Sequence, residues 1–127
     1  MQNFEGRCCL SGINEEDLLV AGHIVPWAKR IDTRLDPSNG LLLYCPYDRL
    51  FDKGFISFDD KVRVVIAPSV DRCSAPLRTI LKQLAGQQAR HPVQWPIKVE
   101  YLAYHRAEVL QTKAVARERV VATAQRL

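Results

Sequence analysis

Three side chains in the first half of the chain have types and spacing that suit shared chemistry: His23, Asn39 and Asp48. An imidazole titrates near working pH and can take a proton from water. The amide of Asn39 offers donors and an acceptor together, enough to tie a loop to a strand. A carboxylate such as Asp48 is a hard oxygen ligand that suits Mg²⁺. Asp52 stands four residues beyond Asp48, on the same face if that segment is a helix. It either adds a second carboxylate or caps the turn at Gly54. Lys29, Arg30, Arg34 and Arg49 surround these positions. They can track a phosphate backbone or form a plain solvated face. Duller readings stand beside these: a lone histidine after an apolar strand is usually structural, and Asn39-Gly40 alone is a turn.

Such residues act together only if the backbone brings them together. Residues 18–21 are a short apolar run closed by Gly22, which suits a strand ending at His23. Pro26 should end regular pairing. Asp36-Pro37-Ser38-Asn39-Gly40 is a dense turn signal, and residues 41–44 read as a second strand. Residues 47–52 read as a short helix starting near Pro46, a residue tolerated in a first turn, and Lys53-Gly54 stops it. Residues 55–58 and 62–66 flank Asp59-Asp60-Lys61 as a β-hairpin. Residues 76–86 carry Leu77, Ile80, Leu81 and Leu84 at helical spacing, with Gly86 as cap. Residues 90–96 read as a loop, and 99–125 as helical, with Leu102, Val109 and Leu110 among the apolar positions. Ahead of all this, Ser11-Gly12 marks a turn, and Asn14 suits an N-cap for Glu15-Glu16-Asp17.

Several segments resemble a known family. Ala21-Gly22-His23-Ile24-Val25-Pro26-Trp27 is similar to the opening of HNH (ββα-metal) domains from bacterial restriction-type endonucleases. Asp36-Pro37-Ser38-Asn39-Gly40-Leu41-Leu42-Leu43 and Leu50-Phe51-Asp52-Lys53-Gly54-Phe55-Ile56-Ser57 resemble two further segments of the same domains. Tyr104-His105-Arg106 matches a pattern near their end, and Arg7-Cys8-Cys9-Leu10-Ser11-Gly12 one at their start. Any one motif is weak, whereas five in order are specific. The resemblance implies an α+β fold: a ββα-metal core over about residues 18–60, an added hairpin, and helices from about 76 to 127, in one domain spanning 1–127. It implies a metal-dependent endonuclease acting on double-stranded DNA. His23 would be the general base, Asn39 would join strand and loop, and Asp48, with Asp52, would hold a divalent ion, Mg²⁺ first and Mn²⁺ next. Water would attack in line, and the 3′ oxygen would leave. Lys29, Arg30, Arg34 and Arg49 would contact DNA. Two departures feed a rival reading, a degenerate domain that binds DNA or a protein without cutting. The helix offers Tyr47-Asp48 where many relatives have a histidine, and Gly22 stands where many have a ligand just before the base.

The bulk numbers are compatible with this reading. The 127 residues suit one core, and 47% hydrophobic with 25% charged residues is ordinary for a globular domain. A net charge of +4 and a pI near 9.0 favour a polyanionic partner only mildly. No apolar run approaches the roughly 20 residues of a membrane helix. Residues 1–7 do not resemble an export signal, which makes the cytoplasm the expected compartment. Cys8, Cys9, Cys45 and Cys73 include no CxxC pair, so reduced, partly buried thiols are expected, Cys45 among the buried ones, and not a zinc ribbon. Trp27 and Trp95 read as core or groove-lining residues, and His105 as a packing residue with a satisfied ring or else a phosphate contact or support to the site, the packing reading being favoured.

Overall fold

In the computed structural model, residues 2–25 and 36–111 are described. The apolar run before His23 forms strand β1 (Leu19–His23), which pairs antiparallel with β2 (Gly40–Tyr44). Leu19 lies opposite Tyr44 and His23 opposite Gly40. Gly22 does not close the strand; it stays in the ladder opposite Leu41, so regular pairing extends to His23. The N-terminal segment covers this ribbon, with Cys9 N–H donating to the Leu42 carbonyl at 2.9 Å. A 3₁₀ turn, Glu16–Leu18, leads into β1; its N-cap residue is Glu15, which makes no side-chain capping bond, so Asn14 does not cap it.

Helix α1 (Cys45–Asp52) follows β2 without a loop. It begins two residues earlier than the sequence suggests, because Pro46 fits the first turn, where no backbone N–H is needed. With no connecting residue, the helix folds straight back onto β1 and β2. It ends at Lys53-Gly54. Gly54 is buried with φ +80°, and the backbone of Val109 occupies the space that a side chain there would need.

Strands β3 (Ile56–Phe58) and β4 (Val64–Ile66) form the expected hairpin, with both strands shorter than predicted. β3 loses Phe55, whose N–H turns to the Leu50 carbonyl at 2.9 Å. β4 is shortened by Asp59, whose carboxylate accepts from the N–H groups of Lys61 and Arg63 at 2.9 Å each. That grip draws Val62 into the turn at φ +60°, an unusual conformation for a β-branched residue. Helix α2 (Ala75–Leu84) follows, and Gly86 lies just beyond its end at φ +79°. Helix α3 (Val99–Glu108) is shorter than the helical reading of 99–125. Val109 and Leu110 lie past its end, because Gln111 turns back to pair with Gly54 and Lys53 at 2.8 and 2.9 Å. The remainder of that reading, from 112 on, lies outside the described residues.

One hydrophobic cluster joins these pieces, with Leu41, Leu43, Phe51, Ile56, Phe58, Leu81 and Leu102 among its buried members. The architecture is α+β, with two small antiparallel ribbons and helices packed around them. Cys45 is exposed at the first position of α1 rather than buried. Trp95 is exposed and so is not a core residue; its backbone is held to the Asn3 side chain at 2.8 and 3.0 Å. Among the described residues no helix is long and apolar enough to cross a membrane.

Candidate active site

Asn39 and Asp48 both reach the end of β1, the strand that carries His23, and Asn39 defines that end. This side chain is wholly buried. Its Oδ1 accepts from Val25 N–H at 2.8 Å, and its Nδ2 donates to the Val25 carbonyl at 3.2 Å. The Asn39 carbonyl also accepts from Ile24 N–H at 3.0 Å. One residue therefore continues the ladder past His23, with its side chain standing in for a strand partner. Aspartate could not do this, because a carboxylate has no donor for the Val25 carbonyl.

His23 closes β1, half-buried. With Gly22, Asp36 and Asn39 it borders a groove of about 340 Å³. Asp36 caps the 3₁₀ turn Pro37–Asn39 by accepting from Ser38 N–H at 2.9 Å. Its other oxygen accepts from Lys98 Nζ at 2.6 Å and from the Tyr101 hydroxyl at 2.5 Å. These three bonds, that of Lys98 foremost, hold its carboxyl down at about 2. Asp36 is thus an anionic staple between the turn carrying Asn39 and the start of α3. Nothing local in the sequence signals it, because its partners lie 62 and 65 residues away.

Asp48 approaches from α1. A side chain at Gly22 would place its Cβ 2.7 Å from Asp48 Oδ1, so this carboxylate reaches the strand at the residue just before His23. Burial pushes its pKa up, with the Asp52 carboxylate one turn on adding to the effect and Arg49 opposing it. No hydrogen bond from a described residue offsets that cost. A partly desolvated carboxylate with no donor among the described residues fits a cation, whose charge would oppose the upward shift. Asp52 ends α1 exposed and makes no capping bond to the turn at Gly54. Among the described residues no group of three His, Cys, Asp or Glu side chains is placed to hold an ion. The available donor set is oxygen-rich and short of a full shell, which Mg²⁺ tolerates by keeping waters and taking substrate phosphate oxygens. Arg49 is exposed on α1. Lys29, Arg30, Arg34 and Trp27 lie outside the described residues.

Behind the site, His105 of α3 is buried and stacked on the Phe51 ring, 3.7 Å between centroids. Its Nε2 lies 2.9 Å from the Phe51 carbonyl, and its Nδ1 lies 2.6 Å from Ser57 Oγ. A carbonyl only accepts, so Nε2 carries the proton and Nδ1 accepts from the serine hydroxyl. Burial drives its pKa down to about 4. The ring is a neutral bracket that joins α1, β3 and α3, in keeping with the packing reading.

The chain matches a family described as HNH endonuclease over residues 8–59, a segment that holds His23, Asn39 and Asp48. Comparison with curated proteins finds no match.

Proposed function

On the premise that residues 8–59 are an HNH domain, a nuclease-type unit, we propose that the protein hydrolyses phosphodiester bonds of double-stranded DNA with His23 as general base. The observation that carries this reading is that Asn39 and Asp48 both reach the strand end that carries His23, at Val25 and at Gly22. His23 takes a proton from water at the groove. Asn39 keeps the strand end from fraying, so the imidazole is presented from a fixed backbone. Asp48, with Asp52 one turn away, holds a divalent ion, for which Mg²⁺ is the first candidate and Mn²⁺ the second. When bound, that ion supplies charge stabilisation at the scissile phosphate and the departing 3′ oxygen. Lys29, Arg30, Arg34 and Arg49 supply cationic contacts to the DNA backbone.

The absence, among the described residues, of a three-ligand cluster favours a second reading, an HNH domain that binds DNA or a protein without cutting. One assay separates the two. Supercoiled plasmid is incubated with wild-type protein or His23→Ala in Mg²⁺ or Mn²⁺. Nicking by wild type, reduced about 10²–10⁴-fold in the variant with its fold intact, is the expected result. Equal rates in both proteins would remove His23 as the base; no nicking by wild type with either ion would favour the binding reading.

A further inference from the structure

Asp48 Oδ1 fills the space beside Gly22 that a side chain on the strand would otherwise take, only 2.7 Å from the Cβ position. Real Cβ atoms do not approach an oxygen so closely, so residue 22 and the Asp48 carboxylate exclude one another. The contacting atom is the far end of a rotatable side chain. Adding a methyl group at residue 22 should therefore swing the carboxylate aside rather than unfold the ribbon. Gly22 also sits inside the β1–β2 ladder, opposite Leu41, with no positive φ to require glycine. Glycine in a strand interior weakens the strand and often marks a close approach, and here the approaching group is identified.

We infer that Gly22 is a positioning residue: its missing side chain sets where the Asp48 carboxylate stands against β1. The inference rests on the nuclease reading only for what the carboxylate holds.

The test uses the full chain with Mn²⁺ as probe, titrated calorimetrically into wild type, Gly22→Ala and Asp48→Ala. A crystal structure of Gly22→Ala accompanies it. Gly22→Ala should keep its melting temperature within a few degrees, move Asp48 to another rotamer, and weaken Mn²⁺ binding roughly tenfold or more. Asp48→Ala should lose binding. A purely structural role for Gly22 predicts a lower melting temperature with Mn²⁺ affinity unchanged. Asp48 unmoved in the Gly22→Ala crystal, or Gly22→Ala binding Mn²⁺ as tightly as wild type, overturns the inference. If wild type takes up no Mn²⁺ either alone or with a short non-cleavable DNA duplex, but Asp48 still moves in the crystal, the positioning inference stands and the metal-dependent nuclease reading falls.

Discussion

Asn39 and Asp48 illustrate opposite strategies for a polar side chain at the candidate site. Asn39 is buried with its amide paired on both edges, and its cost of burial is met by Val25. Asn39→Ala removes two hydrogen bonds and strands a buried N–H and carbonyl, so a loss of roughly 2 kcal/mol is expected. Urea unfolding at neutral pH measures it, and an unchanged midpoint would reduce Asn39 to a surface turn residue. Asp48 is partly buried with no donor among the described residues, so burial disfavours its charge in the metal-free protein. Its folded pKa lies above the ordinary 3.8. Between 3.8 and the raised value the folded state binds more protons than the unfolded state, and stability falls as pH rises through that window. Without metal, Asp48→Asn should lose that slope and be more stable than wild type at neutral pH. Added Mg²⁺ should then raise the melting temperature of wild type but not of Asp48→Asn, since an ion that binds only the folded state stabilises it. Thermal melts with EDTA and with Mg²⁺ decide the point; a less stable Asp48→Asn in EDTA would contradict it.

At the scale of elements, the helix carrying Asp48 has only eight residues, too short to hold its place by propensity alone. It is seated from behind by His105, which stacks on Phe51 and binds the Phe51 carbonyl and Ser57. This bracket works only while the ring is neutral. The histidine pKa falls from 6.5 to about 4 on folding. The unfolded state therefore binds more protons between those values, and the stability from this residue is lost as pH drops from 6.5 through 4. At full effect the loss is on the order of 3 kcal/mol. Denaturant midpoints from pH 7 to pH 4 should fall more steeply for wild type than for His105→Gln, whose amide cannot titrate. Parallel slopes for the two proteins would place the acid sensitivity elsewhere.

For the molecule as a whole, DNA affinity should rest on backbone contacts and fall steeply between about 50 and 200 mM salt as counterions cease to drive binding. Neutralising Arg49, Lys29, Arg30 and Arg34 in turn should flatten that dependence by about one counterion each, read from the slope of log affinity against log salt. Affinity indifferent to salt would discard the electrostatic contacts. Much of this molecule was legible from the chain alone. Alternating and clustered apolar residues mark β1, β2 and the hairpin, Pro46 and Gly54 bracket α1, and five short motifs resemble the HNH family over a region that the family match at 8–59 overlaps. These features are local, and local sequence carries turn chemistry and hydrophobic period directly. Other features needed the fold. Asp36 pairs with Lys98 and Tyr101, His105 seats α1, and Gln111 ends α3 early, each across tens of residues with no local trace. Gly22 shows the difference most clearly. As a letter it is only a missing ligand. In the fold it is the gap through which a carboxylate from another element reaches the strand, because excluded volume is decided by what packs alongside and not by sequence neighbours.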